Sequence, residues 1–241
     1  NVRLFRLIAN KFLNLISLYL DNVKISVRPN VMVDRFHSAP FNVRVFSVSN
    51  TEIGYLSFFY GIQNLKYLNL RSTMLHHIHP DALHFMPSLK FLFLQENKLA
   101  TCLAKDRRGK IFKYSTNIEK LDLSFNEIRY LPTYIFRGLI RLHWLSLSRN
   151  HLISFDGFLR FIPTIQYLDL STNKAPMVSE NVTALLSGYM REHLDHLNLA
   201  NNPFTCSCET TVKNFLVWIQ NLISETENIT LTNTDSYSCI Y

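Results

Sequence analysis

Apolar and polar positions along the chain fall on one template, with positions 1, 4, 6 and 11 apolar and position 9 polar. Eight copies start at Leu15, Val43, Leu65, Leu89, Ile118, Leu142, Ile165 and Leu194, so successive starts lie 28, 22, 24, 29, 24, 23 and 29 residues apart. The fifth copy, Ile118-Leu121-Leu123-Asn126-Ile128, shows every slot filled. Positions 4 and 6 alternate with an outward position 5, which predicts a short strand in each copy with its leucines turned inward. No single coil can bury such a face alone, so the copies must stack, and the chain reads as one cooperative solenoid rather than two domains. Where the chain leaves each strand its backbone groups lack a strand partner, and an amide side chain offers donors and an acceptor to them. Asn97, Asn126, Asn150, Asn173 and Asn202 at position 9 should therefore form a buried polar ladder. The first three copies carry Val23, Thr51 and Thr73 in that slot. A hydroxyl replaces part of the bonding and a valine none, which predicts local irregularity there.

A period of 20 to 30 residues with this wording is the leucine-rich-repeat signature. It implies an α/β fold: a horseshoe solenoid with a parallel concave β-sheet and an irregular convex side. On the return side, Leu131-Pro132 with Phe136 and Leu139, or Ile78 with Leu83 and Met86, supply apolar residues that close each coil on its neighbours. After the eighth copy the character changes. Asn202-Pro203-Phe204-Thr205-Cys206-Ser207-Cys208 leads into a helix-like stretch with Phe215, Trp218 and Ile219, and then Cys239. This wording resembles the C-terminal cap of extracellular leucine-rich-repeat proteins, a small disulfide-tied unit that covers the raw end of the array. The unequal spacings and the Leu-Asp-Leu-Ser-x-Asn phrases at 121–126 and 168–173 are most similar to a Toll-like receptor ectodomain. The organisation expected is residues 1–201 as about eight repeats, the first preceded by a partial one, and 202–241 as a cap that stops before its last cysteine. By that resemblance Cys206 pairs with Cys239, and the partner of Cys208 lies beyond Tyr241. Cys102 sits four repeats earlier, roughly 20 Å away at the strand spacing, too far for a disulfide, and reads as a buried free thiol.

Composition narrows the function classes. Of 241 residues, 47% are hydrophobic and 18% charged, with 6 glycines, which excludes glycine-rich phosphate loops and low-complexity chains. No run approaches the ~18 apolar residues of a membrane span. The start at Asn1 does not resemble a signal peptide, so an exported protein would contain this chain as an internal piece. Two sequons, at Asn181 and Asn228, agree with the cysteine-bearing cap on an oxidising compartment. The net charge of +7 admits an anionic partner without naming one.

No Gly-x-Ser-x-Gly, His-Glu-x-x-His or nucleotide loop is present, and neither an enzyme, a cofactor nor a metal is expected. His76, His77 and His79 follow position 11 of the third copy, where their rings should diverge. They read as a solvated turn or, on the functional side, as a pH-sensitive contact on the flank. Position 3 reads Tyr67, Phe91, Lys120, Trp144, Tyr167 and His196 from the third copy onward, and position 5 adds Phe93 and Tyr19. These aromatics are either a packed floor of the sheet or a ligand-contacting strip, for which Tyr67, Phe91, Phe93, Trp144 and Tyr167 are the candidates. The basic run Lys105-Asp106-Arg107-Arg108-Gly109-Lys110 reads as a solvated outer loop. The Toll-like resemblance implies a non-catalytic ectodomain on the cell surface or in the endosomal lumen, which binds a microbial or other pattern ligand and pairs with a second receptor. Such receptors commonly pair through the flank, which a glycan on Asn181, on the outer side, leaves open. The alternatives are an adhesion or guidance receptor ectodomain and a soluble or anchored antigen-binding repeat protein.

Overall fold

The computed structural model describes residues 14–22, 42–57, 62–204, 214–215, 217–218, 220–221 and 229–230. Positions 3 to 5 of each repeat form a strand: β1 (Ser17–Tyr19), β2 (Val45–Ser47), β4 (Tyr67–Asn69), β6 (Phe91–Phe93), β7 (Lys120–Asp122), β8 (Trp144–Ser146), β9 (Tyr167–Asp169) and β10 (His196–Asn198). They pair in parallel and in sequence order, each residue facing the residue at the same template position of its neighbour. A ninth strand, β11 (Ile229–Thr230), adds to β10, and a separate two-stranded sheet joins β3 (Tyr55–Leu56) to β5 (His77–Ile78) on the flank. The result is a parallel-strand solenoid. Its core is the row of position 4 and 6 leucines, with Leu68, Leu70, Leu121, Leu123, Leu145 and Leu147 wholly inaccessible to solvent.

The return side is irregular: 3-10 turns at Ala82–Phe85 and Phe158–Phe161, and helices α1 (Ala100–Lys105) and α2 (Glu180–Glu192). Phe112, Phe136 and Phe158 run from coil to coil with ring centroids 6.1 and 5.7 Å apart, an aromatic spine under the outer surface. At the far end Phe215 lies edge-on to Phe204 at 4.9 Å, and Trp218 donates to Ser187 Oγ of α2 at 2.8 Å. These residues cover the last repeat. Cys206, Cys208 and Cys239, on which the expected bridge depends, lie outside the described residues, as do Asn228 and the partial repeat before Leu15.

The position 9 amides are buried between coils. Asn150 Oδ1 accepts from Asn126 N and Ile128 N, and its Nδ2 donates to the carbonyls of Leu123, Leu147 and Ser148. Asn97, Asn126 and Asn173 repeat the pattern one coil at a time. Asn202 donates to Leu170, Leu199 and Ala200, but its Oδ1 accepts no bond among the described residues. The irregularity expected at the threonine slots takes a defined form. The main sheet continues unbroken through them. Thr51 Oγ1 donates to Leu20 O and Thr73 Oγ1 to Leu70 O, while Ile53 N and Gly54 N turn to the main-chain oxygen of Thr73. The flank chain is thereby drawn into β3 and β5.

Position 8 supplies what the template does not announce. In all eight repeats it is left-handed, at Asn22, Asn50, Ser72, Glu96, Phe125, Arg149, Thr172 and Asn201, with φ between 50° and 58° and no glycine among them. Cys102 also has a structural task. Helix α1 denies β5 a further strand partner, and the Cys102 Sγ takes its place, 3.4 Å from Ile78 N and 3.8 Å from Ile78 O. The thiol is free and half-buried, and burial is the first cause that holds its pKa above the ordinary cysteine value.

Candidate functional site

Because register is kept, the position 3 and 5 side chains form straight rows across the sheet. Tyr67 and Phe93 lie 5.1 Å apart, tilted by 40°. Beyond them Lys120 Nζ sits 3.9 Å over the Trp144 ring and 5.7 Å from Phe93, so one ammonium joins two aromatic groups. Trp144 stacks on Tyr167 at 5.0 Å and 11°, and Tyr167 on His196 at 4.4 Å and 7°. Phe91 stands half-buried between Tyr67 and Lys120. At ~4.8 Å per strand the row extends roughly 24 Å. Stacked rings add about 0.5–1.5 kcal/mol per pair beyond burial, and a cation on a ring about 0.5–1 kcal/mol, so the row is pre-ordered.

The ring faces are spent on one another, as in a floor; the edges and polar tips are open. Among the described residues Trp144 Nε1, the Tyr67 and Tyr167 hydroxyls and Lys120 Nζ have no hydrogen bond or ion pair. Asp122 and Asp169, at position 5, flank the row. Each carboxylate accepts from the serine N–H two residues on, and Asp122 also from the Ser124 hydroxyl. Burial first, then the charges of Asp169 and Asp122, raise the Tyr167 phenol above its ordinary pKa, so it stays a donor. Burial, with Tyr19 and Asp21 nearby, does the same for Tyr67. The row can meet a ligand with donors at its centre and acceptors along its edge. Lys120, His196 and the two aspartates are members the aromatic reading passed over; their signal was occupancy of the same two template slots.

The three histidines point apart. His77 stacks on Tyr55 at 4.6 Å, His76 is exposed with Nδ1 3.4 Å from Met74 O, and His79 Nδ1 accepts from Asp81 N. Beside them on the flank, positions 8 and 10 expose Met74 and Phe125 at 47% and 44%, over a shallow depression of about 360 Å³ that Glu96 and Glu127 help line. Arg149 covers part of the Phe125 ring at 4.9 Å. Asn181 lies exposed in the first turn of α2, on the return side, where Ser179 caps the helix by accepting from Val182 N.

Residues 43–99 and 110–175, together just over half of the chain, match the leucine rich repeat family model. Over 159 residues the chain is 30% identical to Toll-like receptor 4 of Pinctada imbricata, which covers 66% of this chain and 18% of the receptor. It is 27% identical over 171 residues to mouse Toll-like receptor 9, 70% of this chain and 16% of the receptor. Mouse lumican is 27% identical over 161 residues, 58% of this chain and 46% of lumican. The chain thus spans less than half of each of these relatives. Among solved structures, human 5T4 (trophoblast glycoprotein) superposes with a TM-score of 0.59 at 21% identity, covering 93% of this chain and 87% of 5T4. A leucine-rich-repeat protein of Leptospira interrogans gives 0.58 at 23%, covering 78% of this chain and 44% of that one. These two likenesses show the fold.

Proposed function

The chain belongs to the leucine-rich-repeat family, and from that premise we propose that it is a non-catalytic ligand-recognition and dimerisation module of the Toll-like receptor kind. The observation that carries the reading is the pre-ordered row from Tyr67 to His196, whose ring faces hold each other while the tips of Tyr67, Lys120, Trp144 and Tyr167 have no partner among the described residues. A rigid aromatic surface loses little entropy on binding, which is why such residues serve as contact anchors. Pairing with a second receptor is assigned to the flank bearing Met74, Phe125 and the histidines, since a glycan on Asn181 stands on the return side. Glycosylation at Asn181 and Asn228, a Cys206–Cys239 bridge, a cell-surface or endosomal location and attachment through a membrane segment outside this chain belong to the same proposal.

The test is association of the chain, followed by sedimentation velocity with a microbial glycolipid, a microbial protein and a nucleic acid in turn, at about pH 7.5 and about pH 5.5. Trp144→Ala and Lys120→Ala should each weaken a productive ligand at least tenfold. A ligand that pairs both variants as well as the parent removes the row from the site. The match to lumican, a leucine-rich-repeat relative outside the Toll-like receptors, supports a second reading, the ectodomain of an adhesion or guidance receptor. A transmembrane helix and a Toll/interleukin-receptor domain in the full-length sequence would exclude it.

A further inference from the structure

The basic run on the return side is not a free-standing solvated loop. After α1 the chain turns back on itself because the Asp106 carboxylate accepts from Lys110 N and Ile111 N, both at 2.8 Å. Gly109 takes φ +58°, and a Cβ there would stand 1.9 Å from Tyr134 O, so the loop is seated on the next coil by a residue that only glycine can be. On the other side the wall is the flank strand β5. Between the two lies an open cleft of about 400 Å³ that Lys105, Arg107, Arg108 and Lys110 surround, with His77 and Cys102 at its edge. Ile78, Pro80 and Ile111 supply apolar surface.

None of those four cations has an ion pair or hydrogen bond among the described residues, whereas Arg71 and Lys90 elsewhere each hold a glutamate at 2.6 Å. Among the described residues the one carboxylate lining the cleft, Asp106, is occupied by the loop's own backbone. Like charges held this close repel one another. An arrangement of them that nothing among the described residues neutralises is an arrangement for an external anion.

We propose that this cleft binds a sulfated glycan, separately from the ligand row on the sheet. The density of charge selects the class: four cations within six residues match a few sulfate groups on one or two sugar rings, and clustered Lys and Arg of this length form heparin-type patches. Guanidinium groups take oxyanions bidentately, which Arg107 and Arg108 can do side by side. The apolar patch of Ile78, Pro80 and Ile111 can lie under a sugar ring. Nucleic acid fits less well. Single strands are held by bases stacked on aromatic faces, and among the described residues the one ring lining the cleft, that of His77, already stacks on Tyr55.

The experiment uses the whole chain and a heparin-derived octasaccharide, with binding measured by calorimetry. Affinity should fall roughly fiftyfold between about 50 and 200 mM salt if four cations are engaged. Arg107→Ser with Arg108→Ser should lose at least tenfold, while Arg160→Ser with Lys174→Ser, which removes the same charge from elsewhere on the surface, should lose less than threefold. Saturating octasaccharide should slow maleimide labelling of the Cys102 peptide severalfold, because that thiol lines the cleft. Equal losses in the two double variants, or unchanged Cys102 labelling, would overturn the assignment. So would a single-stranded oligonucleotide of equal charge that binds as tightly and displaces the sugar, since the occupant would then be nucleic acid. Thermal melts of both double variants, matching the parent, exclude misfolding as the cause.

Discussion

Repeats four to eight and repeats two and three meet the same backbone demand with different side chains. In the later group one amide spans two coils. Its nitrogen serves position 6 carbonyls of two coils, and in repeats four to seven its oxygen takes N–H groups of the coil before, as in Asn150 with its five bonds. In the earlier group a hydroxyl has a single proton to give, and the N–H groups of Ile53 and Gly54 go to the main-chain oxygen of Thr73 at 2.9 and 3.1 Å. A main-chain acceptor lies closer to the coil than a side-chain one. The flank therefore tightens into β3 and β5, which the later coils replace with turns and helices. What the solenoid requires is that each buried polar group be paired; the side chain that does it decides the shape of the flank.

The largest effect that tests this contrast is loss of a rung. Asn150→Ala should destabilise the chain by about 3 kcal/mol, because several buried backbone groups are left without partners at once. Thr73→Val keeps the shape and removes one hydroxyl, and should cost about 1 kcal/mol. Urea midpoints of the two variants give the comparison directly. Equal shifts would mean that the amides are replaceable and that leucine packing alone sets the coil.

The template could announce strands, core and rungs because each slot imposes a chemical type: apolar at 4 and 6, amide at 9. It could not announce β3 and β5, since Tyr55 and His77 carry no alternation and pair only because Thr73 turns its carbonyl to the chain before them. The site was legible in part. Position 3 placed Tyr67, Trp144 and Tyr167 on one face, but the sequence left floor and strip undecided. The stacking angles and the placement of Lys120 between two ring groups come from register and rotamer. The cleft at Lys105 to Lys110 was hidden for the same reason. A charge run states composition, and only the Asp106 turn and the Gly109 contact make it a wall.

A subtler contrast lies one position earlier. Repeats one and two have Asn22 and Asn50 at the left-handed position 8, where asparagine is tolerated, whereas repeats four to seven place there Glu96, Phe125, Arg149 and Thr172. Coils four to seven thus carry backbone strain at position 8, and the rung's bonds offset it. A β-branched residue suffers most in this conformation. Thr172→Asn should stabilise the chain by about 0.5–1 kcal/mol, and Asn50→Thr should destabilise by a similar amount. Calorimetric melts check both signs. If Thr172→Asn destabilises, the Thr172 side chain is making a contribution larger than the strain.

The smallest effect concerns the flank strand that the threonine repeats create. His77 is half-buried against Tyr55, and desolvation first, then His79, His76 and Lys105, hold its pKa below the ordinary 6.5. In the unfolded chain it titrates near 6.5, so between that value and its folded pKa the unfolded state binds more protons. Stability then rises with pH across this window, being complete above about 6.5 and eroded as pH falls through the folded pKa. His77→Phe keeps the stacked ring and removes the proton, so its melting temperature should stay flatter than the parent's between about pH 7 and pH 5. Identical slopes would show that the ring is solvated rather than held in β5. The direction also bears on acid sensing. The histidine fixed in the flank sheet resists charge as pH falls, so His77 does not drive an acid-dependent attraction of an anionic ligand. An acid response that survives His77→Phe is the outcome this geometry requires.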